Sequence, residues 1–441
     1  MIKEYLKPYS FMLSIACLCI ILAISAVMLN RAFFVGALSG VIFLVFVFKK
    51  IALSKKTVGL SFLFVVIAIS IATIFLKSDS SLGRIFIYKI SWSMFLDQPI
   101  TGIGWGNFQR DYGLYQAAYF SAGNFTQKEF LLADNTFYAF NDYWEFIVET
   151  GVIGAVCLFT SLYFLVSLVY RRLNTNLKDD ILKLLLALFL VIGIAALFTH
   201  VVEHRPFKIV LAFILAYLAL PSVFNVKTKN LQNATIVTIT ATFALFQYYF
   251  ELKNIGNYRK LEHAKTLSAT GYILESQKIY TELYPQLKGD IEFLKNYNAV
   301  LVGHHNASKK IFLLKEILKH YTSHISFLEM ATIYEELDMN KEAEIALLQS
   351  VYMVPNRFVP KEALYRFYSK NKQYEQAKFW RKIILTMPVK IPSERVEAIK
   401  QTVKNLNNDE KQKPLHCHSG LVYAHYLSLF LPKGLFVWRR C

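Results

Sequence analysis

The residues best suited to chemistry lie at the two ends of one long polar segment and in one short turn further along the chain. The first end opens with Gly83-Arg84 and closes with Asp97-Gln98-Pro99-Ile100-Thr101-Gly102-Ile103-Gly104-Trp105-Gly106-Asn107-Phe108. The second carries Asp134 and Asn135, then Asn141, Asp142, Glu145 and Glu149, and nine residues separate Asn141 from Gly151-Val152-Ile153-Gly154. The turn is Thr199-His200-Val201-Val202-Glu203-His204-Arg205-Pro206. Arginine holds phosphate oxygens through a planar fork and stays charged near a membrane. Carboxylates and imidazoles exchange protons. Glycines at this density permit a tight turn and a close backbone approach to phosphate or sugar. Gly102, Gly104 and Gly106 are not a dinucleotide site, since their spacing is wrong and no βαβ unit surrounds them. The two histidines of the turn are four residues apart, but Pro206 interrupts any helix that would align them on a metal. His416-Cys417-His418 lacks the separated ligand pairs of a structural zinc site. No metal is expected.

The elements that must position these residues are mostly apolar. Of 441 residues, 55% are hydrophobic, with runs long enough to cross a bilayer, so an all-α, polytopic membrane protein is predicted. The first apolar run is too long for the core of a cleaved signal. Seven spans are read, at 10–28, 32–48, 58–76, 144–170, 181–199, 207–225 and 234–250. Lys3 and Lys7, Lys49 to Lys56, Arg171 to Lys178, and Lys227 with Lys229 then all fall on one side, which the positive-inside rule makes cytoplasmic. This bias explains much of the net charge of +18, and nucleic acid is not an expected partner. Cys17, Cys19 and Cys157 lie inside spans, where thiols behave as small hydrophobes. The segment 77–143 and everything after residue 250 are placed outside. Within that segment Ile85, Tyr88, Trp92, Phe95 and Leu96 share one helical face, which suits a helix lying in the headgroup layer.

In order and spacing these patterns resemble the O-antigen ligase and O-antigen polymerase family of polytopic membrane glycosyltransferases, over roughly residues 30–225. The resemblance implies transfer of a glycan from an undecaprenyl-pyrophosphate carrier to an acceptor hydroxyl, such as that of the lipid A core, without metal or nucleotide cofactor. Cations must meet the departing pyrophosphate, and a base is needed beside the acceptor oxygen. Arg31, in Asn30-Arg31-Ala32, is similar to the family's Ser-Arg-small motif and lies on the side where basic residues are sparse. Arg84 opens the loop. With these two, Asn141, Glu149 and His204 are the catalytic candidates. Lys89, Asp97, Gly102, Gly104, Gly106, Asp134 and Asn135 are the candidates for substrate binding. Glu149 could instead pair with Arg84 or Arg205.

The chain departs from the family in one place. The ligase pattern is His followed by Asn, Ser or Gln, nine residues, then Gly-x-x-Gly, with the His as proposed base. Here Phe140 stands in that position, and a phenyl ring accepts no proton. Three explanations compete. Another residue serves, from Asp134, Asp142, Glu145, Glu149, His200 and His204; or a good leaving group makes a strong base unnecessary; or the protein is an inactive, membrane-anchored scaffold. An O-antigen polymerase or a protein O-glycan transferase would share the same loop and differ in acceptor.

Five segments are therefore expected: spans in 1–76, a catalytic-type loop in 77–143, spans in 144–250, helical repeats in 251–410 and a tail, 411–441, of unclear origin. In the fourth, Ala331-Thr332-Ile333-Tyr334, Ala343, Ala346 and Pro355 are echoed by Leu364 to Tyr368, Tyr374, Ala377 and Pro388. The prolines are 33 residues apart, close to the tetratricopeptide period of 34. Three or four degenerate extracytoplasmic repeats, able to carry a protein partner, are predicted. Seven spans are few for the family, so the chain resembles the C-terminal part of a longer one.

Overall fold

The computed structural model describes residues 16, 19–20, 31–48, 78–175, 180–201, 204–224, 255–303 and 306–405. Of the predicted spans, 10–28 (apart from three residues), 58–76 and 234–250 lie outside them, as does the tail. Every regular element among the described residues is a helix, as predicted. The helices are α1 (Arg31–Phe48), α2 (Ser78–Asp97), α3 (Phe108–Ser121), α4 (Gln127–Leu132), α5 (Asp142–Thr175), α6 (Asp180–Ala195) and α7 (Arg205–Phe224). There follow α8 (255–269), α9 (Ile273–Leu287), α10 (Ile291–Val300), α11 (Ala307–Leu318), α12 (His324–Glu336), α13 (Asn340–Met353), α14 (Phe358–Lys370), α15 (Tyr374–Thr386) and α16 (Glu394–Asn405).

The chain divides into two compact units, Met1–Arg84 with Tyr138–Lys253, and Ile85–Phe137 with Asn254–Cys441. In the first, α1 packs along α6, and α7 contacts α5 and α6. Ala32, Leu182, Leu185, Leu186, Ile192, Ala195 and Ile214 are buried among them. One helix among the described residues is long and apolar enough to cross a bilayer: Asp142–Val169, 28 residues against the expected 144–170. At 1.5 Å per residue it measures about 42 Å, more than the ~30 Å hydrocarbon layer. Gly151, at φ 66° and ψ −160°, breaks it near its start, a conformation open only to glycine. The break separates a polar first segment, Asp142 to Thr150, from the apolar remainder. The other described spans are shorter, with apolar stretches of Ala32–Val45 and Phe207–Tyr217 and the 16-residue α6.

The second unit joins the loop to the helices after residue 254. Helices α10, α12, α14 and α16 begin 33, 34 and 36 residues after one another. The turns inside the pairs repeat as well. Tyr272 N–H donates to Leu267 O, Met339 N–H to Tyr334 O and Gln373 N–H to Tyr368 O, at 2.9, 2.8 and 2.9 Å. Each is the six-to-one closure of a helix C-terminus, which requires a left-handed residue just before the donor. Gly271, Asp338 and Lys372 supply it, at φ 91°, 56° and 58°. Fully buried Ala331, Ala343 and Ala377 stand where helices cross, because a small side chain lets two backbones approach.

Residues 85–137, within the loop expected at 77–143, cluster with the helices after residue 254. α3 packs on α13, with Ala117 in the main core of this unit and Leu114 and Phe130 against it. Single polar side chains then fix the loop. Gln116 Nε2 donates to Met353 O and to Asp134 O, at 2.5 and 3.1 Å. Thr322 Oγ1 donates to Arg110 O at 2.6 Å. Asn356 Nδ2 lies 3.0, 3.2 and 2.6 Å from the carbonyl oxygens of Phe130, Leu131 and Ala133. Phe137 stacks on Tyr321 with ring centroids 5.1 Å apart.

Candidate functional site

In the first unit, the site is built by the way α5 starts. Asn141 caps it, its Oδ1 accepting from Tyr143 and Trp144 N–H at 3.1 and 3.0 Å. Glu145 reaches back to accept from Ala139 N–H at 2.7 Å. Asp142 N–H donates to Ala196 O at 2.9 Å, and its Oδ2 accepts from Val201 N–H at 2.8 Å. These bonds hold Ala139–Asp142 against the turn that follows α6. Between them Phe140 adopts φ 54°, a region that non-glycine residues enter only when their surroundings hold them there.

The result is a stack of rings and one cation. The Arg84 guanidinium carbon lies 5.6 Å from the centroid of the Phe140 ring, a cation–π distance. His200 meets that ring edge-on at 5.8 Å and 76°, and lies flat on Tyr138 at 4.1 Å and 6°. His204 follows 5.2 Å from His200, exposed to solvent and in contact with Phe207. A second imidazole in place of the Phe140 ring would, once protonated, repel Arg84; the phenyl face attracts it. His200 is the imidazole in ring contact with Phe140.

Of the other members of the expected catalytic set, Asn141 and Glu149 have described side chains. The Asn141 amide oxygen is engaged by the helix cap. Glu149 is buried, eight residues along α5, or about 12 Å from Asn141 along the axis, in the turn before the Gly151 break. Arg31 opens α1, but its side chain lies outside the described residues, as do those of Glu203 and Arg205.

The expected substrate-binding residues belong to the second unit. The glycine turn is present as read: Gly102, Gly104 and Gly106 take φ of 69°, 99° and 73°, which side chains with a Cβ rarely adopt. Gly102 N–H donates to Gln98 O and Asn107 N–H to Gly104 O. Asp97, at its mouth, accepts from Tyr115 O–H at 2.8 Å. Burial pushes its carboxyl above the usual range, and the tyrosine bond opposes that. Lys89 Nζ donates to Glu129 Oε1 at 2.5 Å and to the Tyr119 hydroxyl oxygen at 2.8 Å, and lies over the Tyr119 ring. Burial pushes the Glu129 carboxyl up, but bonds from Lys89, Thr126 and Tyr119 outweigh it and hold the group down at about 2. Asp134 pairs with Arg357 at 3.0 Å and Lys390 at 3.7 Å. The Asn135 amide lies against His324 Nδ1, at 2.8 Å from its nitrogen and 3.1 Å from its oxygen. Burial lowers the His324 pKa, and Arg357 lowers it further, while Asp134 opposes. Lys89, Asp134 and Asn135 thus have partners within the fold, which gives each an architectural part besides the expected one.

Sequence reasoning ranked Phe140 as a lost residue and His200 as one candidate among six; their contact was not legible. It missed Gln116, Thr322, Asn356 and Arg357 altogether. The one available signal was polar Asn356-Arg357 directly after Pro355, where the repeat pattern is otherwise apolar.

Among known proteins, residues 10–159 match the family described as O-antigen ligase. No curated protein and no solved structure matches the chain.

Proposed function

We propose, from the match of residues 10–159 to the O-antigen ligase family, that this chain transfers a glycan from an undecaprenyl-pyrophosphate carrier to an acceptor hydroxyl at the outer face of the inner membrane. The family is an inner-membrane one whose partners are lipid-linked glycan and lipid A core. The observation that carries the reading is the Arg84–Phe140–His200 stack. The acceptor oxygen attacks the anomeric carbon and gives its proton to the His200 imidazole. The bond from that carbon to the pyrophosphate oxygen breaks, its electron pair leaves with the pyrophosphate, and Arg84 and Arg31 meet the charge. Phe140 takes the position of the family's His and serves as a platform that aims Arg84. The lipid A core is the preferred acceptor. The segment 255–405 reads as a degenerate tetratricopeptide-like domain, extracytoplasmic with the loop.

The test is transfer by the full-length protein in membranes of a ligase-deficient strain. Arg84→Lys removes bidentate geometry while keeping charge. Loss of a charge-assisted contact of about 1.5–3 kcal/mol lowers the rate roughly ten- to hundred-fold. His200→Gln is expected to abolish pH-dependent transfer, and Phe140→Leu, which removes the ring under Arg84 and a contact of about 0.5–1 kcal/mol, to lower the rate about two- to fivefold. Full activity in His200→Gln at wild-type protein level would remove His200 as base. Absence of transfer by the wild type and every variant alike would favour the inactive scaffold, to which the missing family His points. Reporter fusions at Asn124 and Lys309 are expected to be active only outside the cytoplasm, and one at Asn174 only inside.

A further inference from the structure

α2 presents apolar residues on two faces, where packing into its unit requires one. Phe86, Ile87, Ile90 and Met94 are buried, with the Phe86 ring 5.8 and 5.7 Å from those of Tyr119 and Phe120. On the opposite side Ile85, Trp92 and Leu96 stand exposed, Ile85 at 61%. Their spacing of seven and four residues sets them in one row. Lys89 lies in the same row, its charge already met by Glu129. Beyond the helix, Ile100 is 65% exposed and Trp105 73% exposed. Trp105 sits between Gly104 and Gly106, whose left-handed backbones form the tip of the turn.

We propose that this row and the Trp105 tip form a membrane-embedding surface, seated at the boundary between the headgroups and acyl chains of a bilayer. The chemistry of the row selects lipid. Ile85, Leu96 and Ile100 offer a sugar or a polar protein surface no hydrogen bond, while the two indoles combine an apolar ring with an N–H suited to the interfacial layer. A soluble unit rarely leaves so many large apolar side chains outside. α5 shows the same composition on its lipid-facing surface, at Val152, Ile153, Val156, Phe159 and Phe164. The inference requires only that the chain is a membrane protein and does not depend on glycan transfer. It revises the sequence expectation in detail: Ile85, Trp92 and Leu96 remain on the exposed face, while Tyr88 and Phe95 are half-buried and Trp105 and Ile100 join it.

Full-length protein in nanodiscs of phosphatidylethanolamine and phosphatidylglycerol tests it. In a background without native cysteines, nitroxide labels at Ile85→Cys, Leu96→Cys and Trp105→Cys are compared with one at Leu274→Cys, which α9 exposes on the same unit. The first three are expected to collide preferentially with oxygen, at a depth of about 5–10 Å, and the fourth with a water-soluble nickel chelate. As a check without labels, intrinsic tryptophan emission of the wild type is measured in brominated lipid, where quenching is expected to fall in Trp92→Phe/Trp105→Phe. Labels at 85, 96 and 105 that behave like Leu274, or that neither reagent reaches, overturn the proposal, as does unchanged quenching in the double variant.

Discussion

Removing the Asn356 amide is expected to loosen the loop without touching any residue of the stack around Phe140. α4 has six residues and ends in carbonyls that no following turn of helix satisfies. Asn356, buried at the approach to α14, brings one Nδ2 within 3.2 Å of three of them. That nitrogen carries two hydrogens, so it makes two bonds at a time, each worth about 0.5–1.5 kcal/mol net. Asn356→Ala loses both and leaves buried oxygens unmet, for about 2–3 kcal/mol in all. In a unit of this size that lowers the melting temperature by about 5–10 °C. Asn356→Asp keeps the shape but sets a carboxylate against the same oxygens, and should cost more than Ala. The assay is thermal unfolding of full-length protein in nanodiscs, with limited proteolysis scored for cleavage within 122–137. An Asp variant that melts with the wild type, or above the Ala variant, would show that the amide does not donate there and that the loop is held by other means.

Further outcomes can be checked on the same preparation. Gly104→Ala should destabilise more than Gly106→Ala: a Cβ on Gly104 would lie 2.5 Å from Asn107 Nδ2, which donates to Ile103 O, whereas that on Gly106 meets nothing within 4 Å. Equal melting temperatures would mean that backbone strain alone decides. Burial pushes Lys361 down to about 7, against about 10.4 in an unfolded chain. The unfolded state therefore binds more protons between these values, and stability should rise as pH increases from about 7 to about 10. Lys361→Met should flatten that rise in a melting series. Glu129, held at about 2, contributes stability that is present above about pH 4.3 and lost as pH falls toward about 2; an acid titration of Glu129→Gln should lack that step.

What the sequence disclosed followed from local pattern. Three glycines within five residues announced a left-handed turn, an unbroken apolar run placed the α5 span to within two residues, and alanines and prolines at a constant interval announced the helix pairs. Each signal repeats or sits within a few residues, so one chain suffices to read it. The union of loop and repeats is different. Gln116 reaches Met353 and Asn356 reaches Ala133 across more than two hundred residues, through single side chains with no periodicity. Lys89 looked free for substrate because its partner, Glu129, is forty residues away. His200 beside Phe140 was hidden for a third reason: aromatic residues are common throughout the spans, and their pairing depends on how α5 starts.

The division of the chain also sets an order of events during synthesis. The second unit is interrupted in sequence, leaving at Phe137 and resuming at Asn254, and Met353 and Asn356 must be made before they can hold the loop. At about 5–20 residues per second, the ribosome needs roughly 10–40 s to travel from Phe137 to Asn356. For that interval the loop's apolar residues, Ala117 and Phe130 among them, are without the helices that later bury them. A newly made chain thus passes through a stage in which residues 138–253 are already made while the glycine turn and α4 await a partner still in the ribosome. That stage is a natural point for chaperone or protease surveillance.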